Sequence, residues 1–475
     1  MEKRLLLLLM AACVGAQAAN PSSPKGFDVA SKPNIILILT DDMGWNALSI
    51  PADPAIPESG STYYQTPNTD RLAEGGIRFS RAYSPSAVCD PTRTSIQYGM
   101  TPTALGKFAT VGPKKLPPVS DAMVSRLKAA HPHYKAAHFG KWHQRTRTPE
   151  QIGFDVSDGQ TMNDQSKDRR DPKMTFSLAR KANAFMEEHA SNGTPFFMQV
   201  SFYANHLQYQ ALPETIAKYE GLSDHATEYH SSPLWAAMNE DMDTAVGSIL
   251  DTLDKLGIAE NTYIIYTADN GYEFKRDRLL PVDKRDYYKS YPLRSHKYVL
   301  SEGGIRVPFI VRGPGIPAGI SSREPVVGWD ILPTVLDMAD AADQIPEAVE
   351  GGSLLPMCIS GGKAKVKRLD PFMVFRSAMA DPKKGGFGGM LDVAIIQNGY
   401  KFYRELESGN EYLWSLWDDL GESNNLLEKM PERAARLRKN MDAYCERVGW
   451  DQKERAGSVR AKKGGKKTKD KNRKK

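Results

Sequence analysis

Two adjacent aspartates, Asp41-Asp42, and the pair Asp269-Asn270 offer only hard oxygen donors. Such a set suits Ca2+ or Mg2+ and disfavours zinc. Taken singly, each pair is more often a turn or helix-capping sequence than a ligand pair. Between them stands Cys89-Asp90-Pro91-Thr92-Arg93, which holds one of only four cysteines in 475 residues. Pro91 fits the first turn of a helix running towards Gly99, with Cys89 at or just before its N-terminus. Free backbone N–H groups there favour an anion, and Arg93 lies one turn further on. A plain thiolate beside hard oxygen ligands matches Ca2+ poorly. The plainer alternative is an inert, partly buried thiol. Lys141, His143 and His206 add cationic and proton-transfer groups. The nine histidines show no metal-helix spacing such as His-Glu-x-x-His.

All these groups follow short apolar runs. "NIILIL" (34–39), "YKAAHF" (134–139), "FFMQVSF" (196–202), "YIIYTA" (263–268) and "PFIV" (308–311) read as buried strands. Asp41-Asp42 follow the first, Lys141 and His143 the second, His206 the third and Asp269-Asn270 the fourth. Helical stretches alternate with them, which predicts an α/β sheet. Open α/β sheets bind ligands at the carboxyl ends of their strands, so these groups converge on one cleft. The clearest helix spans about 233–256, with Leu234, Met238, Met242, Val246, Ile249, Leu253 and Leu256 on one stripe and Gly257 as its stop. Beyond about residue 370 the texture changes. "YKFYREL" and "EYLWSL" predict paired strands, and 431–448 a closing amphipathic helix. The expected division is a catalytic domain over 33–365, a smaller C-terminal α+β subdomain over 366–450, and a tail over 451–475.

Length alone calls for a large domain plus a smaller one. The composition, 40% hydrophobic and 25% charged, is that of a soluble globular chain. Lys3-Arg4, the apolar run 5–12 and Ala16-Gln17-Ala18 form an export signal over 1–18, placing the protein in the periplasm or outside the cell. Met10 to Cys13 loosely resembles a lipoprotein cleavage box but fits less well. The apolar run is too short to span a bilayer, and no later stretch is long enough. After cleavage Cys89, Cys358 and Cys445 remain, an odd number that leaves one thiol for another use. A disulfide between Cys358 and Cys445 stays open. The segment 461–475 holds nine Lys or Arg against one Asp, so the rest of the chain is slightly acidic despite a formal charge of +6. The tail is either a solvated end or a polycationic anchor for an acidic surface. No aromatic-interleaved basic patch or zinc-finger spacing points to nucleic acid.

The pentapeptide at Cys89 fits the pattern Cys-x-Pro-x-Arg. "LTDDMGWNAL", "TPNTDRLAEGGIRFSRAYS", "GKWH", "TADNG", "PLRSHKYVLSEGGIRVPFIVRGPG", "GWDILPTVLDMA" and "EYLWSLWDDLGESNNLL" accompany it in order. With these blocks the chain resembles the sulfatase family of the alkaline-phosphatase-like superfamily, from about residue 33 to 445. The resemblance implies a large mixed sheet sandwiched by helices, with a smaller α+β subdomain behind it. It implies that Cys89 is oxidised to Cα-formylglycine by a formylglycine-generating enzyme or an anaerobic sulfatase-maturating enzyme. One hydroxyl of the hydrated aldehyde would attack sulfur and expel an alcohol, and the second would expel sulfate by reforming the aldehyde.

Carried over by matched position, Asp41, Asp42, Asp269, Asn270 and an oxygen of residue 89 would hold one Ca2+. Arg93 and Lys141 would steady the formylglycine and sulfate oxygens. His143 would take a proton from the second hydroxyl, and His206 and Lys297 would contact sulfate and protonate the leaving oxygen. Three departures stand out. Asp90 replaces a small residue, "GKWHQRT" lacks Leu-Gly after its histidine, and "ANHLQYQ" lacks a Pro before its histidine. The implied substrate is a sulfated polysaccharide or oligosaccharide. Its rim would come from 51–63, 145–172 and 272–296, with Tyr288, Arg294 and His296 against sugar. A formylglycine-dependent phosphodiesterase or phosphonate monoester hydrolase, and a non-catalytic glycan-binding homologue, are the competing readings.

Overall fold

Uninterrupted apolar runs cannot leave one face wet, so they belong in a sheet covered on both faces. The computed structural model, which describes residues 32–106, 116–273, 288–377 and 392–450, shows that sheet. The expected export signal over 1–18 and the basic tail over 451–475 lie outside the described residues. Ten strands come from the first part of the chain. They are β1 (Asn34–Thr40), β2 (Ile77–Phe79), β3 (Ala82–Tyr83), β4 (Lys135–Gly140), β5 (Val156–Ser157), β6 (Phe196–Ser201), β7 (Thr262–Ala268), β8 (Phe309–Arg312), β9 (Ile320–Ser322) and β10 (Val326–Val327). Eight of them form one sheet in the order β5-β4-β6-β1-β7-β8-β2-β9, and β3 pairs separately with β10. Only β8 runs against its neighbours in the large sheet, which is therefore mixed. The five apolar runs of the sequence are β1, β4, β6, β7 and β8.

Alternation along β1 assigns its side chains to two layers. Ile36 and Ile38 pack with α1 (Pro67–Glu74), α4 (Thr175–Ala190), α5 (Pro213–Glu220) and α6 (Pro233–Leu256). Ile35, Leu37 and Leu39 pack with α2 (Cys89–Tyr98), α3 (Met123–Ala130), α8 (Ile331–Met338) and α9 (Leu355–Ile359). The short α7 (Glu302–Ile305) lies between β7 and β8 in the chain. Helix α6 begins where Ser232 accepts from the Trp235 amide and ends at Gly257, whose φ of +67° suits a residue without Cβ. Met238, Met242, Val246, Ile249 and Leu253 form its buried stripe.

A second sheet of four antiparallel strands follows: β11 (Met373–Arg376), β12 (Asp392–Gln397), β13 (Tyr400–Glu405) and β14 (Glu411–Ser415). One face, with Val374, Ile395, Phe402 and Leu413, packs against α10 (Pro431–Arg447). The other, with Phe375, Ile396 and Trp414, packs against Tyr83, Ile305 and Trp329. Cys358 lies in the large α/β core and Cys445 in the α10 cluster, and no disulfide joins them.

Burial alone does not fasten the small sheet to the large one. Lys401 of β13, fully buried, reaches Glu422 at 2.7 Å and Glu302 of α7 at 3.1 Å. Glu302 also accepts from Tyr83 Oη at 3.1 Å and pairs with Arg306 at 3.3 Å. A buried pair broken on one side leaves an uncompensated charge. Lys401→Met should therefore cost about 3–5 kcal/mol in urea denaturation, while Lys401→Met with Glu422→Gln should recover part of it. Equal losses in the single and double variants would show that the cluster is not electrostatically coupled.

Candidate active site

Parallel pairing aligns the ends of four strands. Thr40 stands opposite Ala268, and Leu39 and Gly140 both stand opposite Ser201. The residues that follow must leave the sheet along one edge. Asp41 donates its amide to Ala204 O at 2.9 Å, Asp269 to Thr40 O at 3.1 Å and Lys141 to Ser201 O at 2.8 Å. Gly140 makes the turn into Lys141 possible, because at its φ of +93° a Cβ would lie 2.0 Å from Ser201 O. On the next loop a Cβ on Gly271 would lie 1.9 Å from Gly303 O, so glycine lets the Asn270 turn close against α7. Asp42, His143 and Tyr298 hold φ of +55°, +50° and +84°. Left-handed backbone at non-glycine residues concentrates where surrounding structure overdetermines it, commonly at functional sites.

The charges interlock. Lys141 Nζ bonds Asp41 Oδ2. Arg93 donates from Nε to Asp269 Oδ2 at 2.9 Å, with its other nitrogens reaching Asp269 Oδ2 at 2.7 Å and Lys141 O at 2.5 Å. Lys297 Nζ lies 2.6 Å from Asp42 Oδ1 and 2.8 Å from Asp42 Oδ2. Asn270 Nδ2 donates to Asp42 Oδ1 at 2.7 Å, and the Asp42 amide donates to Asp269 Oδ1 at 3.1 Å. His206 Nε2 stands 3.8 Å from both Asp42 Oδ2 and Glu273 Oε2. Burial opposes ionisation of Asp41, yet Lys141, His206, Arg93 and Lys297 hold its carboxyl well below the usual range. Burial and the neighbouring Asp41 push Asp269 up to about 7 against the pull of Arg93. Burial, with Lys141 and Arg93 beside it, keeps His143 neutral by pushing its imidazole far below the ordinary value.

A hard cation fits this donor set. Asp41 Oδ1 and Asn270 Oδ1 are buried with no hydrogen-bond partner. Cys89 Sγ and one oxygen each of Asp41 and Asp269 lie within 4.8 Å of one another. Cys89 is the first residue of α2 and only 5% exposed. Burial raises its thiol to about 11, although Lys141 and Lys297 pull the other way. The helix start at Cys89 and its end at Gly99, φ +63°, follow the sequence expectation.

Sequence reasoning missed two charged groups. Glu273 faces His206, and its only forewarning was an acid three residues past Asn270. Lys173, 1% exposed, lies in the short 3-10 turn Pro172–Met174 ahead of α4, with nothing in its spacing to mark it. The expected rim fares unevenly. Arg294 and His296 are buried, at 7% and 0% exposure, and Arg294 Nε donates to Gly421 O, so neither stands on an open rim. The segment 274–287 lies outside the described residues, as does the side chain of Tyr288.

The model of the sulfatase family matches residues 33–341. An ulvan-active sulfatase of Formosa agariphila is 27% identical over 436 residues, 85% of this chain and 78% of its own length. The N-acetylgalactosamine-6-sulfatase of Canis lupus familiaris is 29% identical over 392 residues, 75% of this chain and 70% of its own. Among solved structures, Ps i-CgsB in complex with k-i-k-neocarrahexaose superposes with a TM-score of 0.72 at 22% identity, covering 92% of this chain and 98% of that one. That likeness bears on the fold.

Two measurements check the site. Calcium at a hundred times its Kd should stabilise the protein by about 2.7 kcal/mol, seen as a rise in Tm. Asp41→Asn and Asp269→Asn should each lose most of that rise; an undiminished rise would place the cation elsewhere. In protein made without a maturation system, iodoacetamide at pH 8 should label Cys89 at least about a hundredfold more slowly than free cysteine, because the thiol stays protonated. Rapid labelling would contradict the raised thiol.

Proposed function

Since the chain belongs to the sulfatase family and is a sulfuric ester hydrolase, we propose that it is exported and removes sulfate from a sulfated polysaccharide or oligosaccharide, using Cα-formylglycine made from Cys89 and one Ca2+. The observation that carries this reading is the setting of Cys89. A thiol held at about 11 among hard oxygen donors is a poor nucleophile at neutral pH. Converted to hydrated formylglycine, the same position supplies one hydroxyl to attack sulfur and a second whose deprotonation releases sulfate. Asp41, Asp42, Asp269 and Asn270 are the residues that would hold Ca2+, which when bound supplies positive charge that acidifies the attacking hydroxyl.

The remaining roles belong to the chain itself. Arg93 and Lys141, already fixed by Asp269 and Asp41, present cationic hydrogen-bond donors to the sulfate oxygens. His143, kept neutral by burial, is suited to accept the proton of the second hydroxyl. His206 and Lys297, both against Asp42, would contact sulfate and return a proton to the leaving oxygen. Export is supported by Lys3-Arg4, the apolar run and the small residues at 16–18, and no helix among the described residues is long and apolar enough to cross a membrane. A carbohydrate substrate is supported by the sugar sulfatases among the relatives.

Peptide mass spectrometry on protein coexpressed with a formylglycine-generating enzyme should find residue 89 about 18 Da lighter than cysteine, or its hydrate. Cys89→Ala should abolish sulfate release while still binding Ca2+. An unmodified Cys89 in active protein would overturn the proposed nucleophile. An unmodified Cys89 in inactive protein that still binds sulfated glycan would favour the glycan-binding reading.

A further inference from the structure

Among the described residues, every other Lys or Arg exposed by 2% or less touches a carboxylate. Arg93 pairs with Asp269, Lys141 with Asp41, Lys297 with Asp42, Arg306 with Glu302, and Lys401 with Glu302 and Glu422. Lys173 is the exception. At 1% exposure its ammonium has one polar contact, Gln165 Oε1 at 3.3 Å. An ammonium removed from water without an anion is expensive, and a structural lysine gains nothing from that position.

Its placement points to the catalytic cleft. Gln165 donates from Nε2 to Leu207 O at 3.4 Å, the carbonyl that His206 Nδ1 also meets at 2.5 Å. Gln210 takes the Lys173 amide at 3.1 Å and donates back to Ser166 O at 3.0 Å, so the turn carrying the lysine is tied to the segment after His206. Lys173 itself holds φ +56°, the same constrained backbone seen at Asp42 and His143. Burial lowers its amine to about 8 and Lys141 acts the same way, while Asp41, Asp42 and Glu273 act to raise it, which sets the ammonium within the field of the site's charges. Beside this turn lies a cavity of about 300 Å³ lined by Lys167, Arg169 and the acid Asp168 together with Tyr209, Gln210 and others. Tyr209 also feels Asp42, Glu273 and Lys297, so the cavity adjoins the site.

The charge count gives the ligand. The four carboxylates Asp41, Asp42, Asp269 and Glu273 and the four cations Arg93, Lys141, Lys297 and Lys173 formally cancel. A divalent cation leaves two positive charges, of which a sulfate monoester takes one. We propose that Lys173 is a specificity-determining residue that binds a second anionic group of the substrate, a carboxylate or a further sulfate carried near the scissile ester. The inference rests on the sulfate-ester reading of the site, but selects among its substrates.

The test compares the matured enzyme with Lys173→Met and Lys173→Arg on phenyl sulfate, the three carboxyphenyl sulfates and the three phenylene disulfates. The wild type should favour at least one dianionic ester over phenyl sulfate by about tenfold in kcat/KM, the scale of one charge-assisted contact. K173M should cut that preference to about threefold or less, chiefly through KM, and K173R should keep most of it. Whether carboxylate or disulfate isomers carry the preference separates the two sources of the anion. Calorimetric Kd values for the same esters in Cys89→Ala protein, with and without K173M, should show the same pattern without turnover. A K173M loss equal on all esters would mean a general or structural role, and a wild type without dianion preference in rate or binding would overturn the proposal. Failure of the sulfate-ester reading shows separately, as no sulfate released from phenyl sulfate by the matured wild type, and calorimetry still decides Lys173.

Discussion

Three carboxylates lie at 1% exposure or less at the ends of β1 and β7, and they set the terms for everything around them. Ionised, they repel one another in a medium that screens poorly. Arg93, Lys141 and Lys297 must reach them, and those side chains come from a helix, a strand end and a distant loop. The three cations do not finish the task, for Asp269 still titrates near neutrality while Asp41 stays far below. The arrangement has an appetite for more positive charge, which two buried oxygens without donors localise. The parallel sheet is what makes this crowding possible, since four adjacent strands deliver their carboxyl ends to one edge in register.

Strain gathers at the same edge. Asp42, His143, Lys173 and Tyr298 all hold left-handed backbone, and glycines at 140 and 271 permit approaches that no Cβ would survive. A site built from four loops needs such turns to aim each side chain, and the layers of α1, α4 and α6 on one face and α2, α3 and α8 on the other supply the rigidity that holds them.

Much of this was legible in the sequence because burial on both faces leaves a plain mark. The runs at 34, 134, 196, 263 and 308 became β1, β4, β6, β7 and β8, and α6 ended at Gly257 as its pattern required. Asp41, Asp42, Asp269 and Asn270 were recognisable because they follow such runs directly. Lys173 and Glu273 were not, since a buried charge on a loop or short turn has no periodicity and its meaning depends on what faces it. The burial of Arg294 and His296 was not legible either, because polar residues next to a site look exposed until the fold closes over them. The two cysteines left open for pairing fall in different cores, a separation that only the three-dimensional packing reveals. The β9 and β10 strands, two or three residues each, were too short to register as a pattern.

The Lys401 cluster bears on how a protein of this design can diverge. Glu302 belongs to the α7 turn that meets Gly271, so the electrostatic clasp on the small sheet is also a support for the catalytic loop. Substitution of one member strands the others as bare charges, and because Glu302 also holds Arg306, a joint apolar replacement comes close to neutral only if it includes Arg306. Lineages are thus expected to keep Glu302, Arg306, Lys401 and Glu422 as a set or to lose them as a set. The small sheet is therefore expected to travel with the catalytic half, since parting them would leave the buried Glu302 with Arg306 as its remaining counterion.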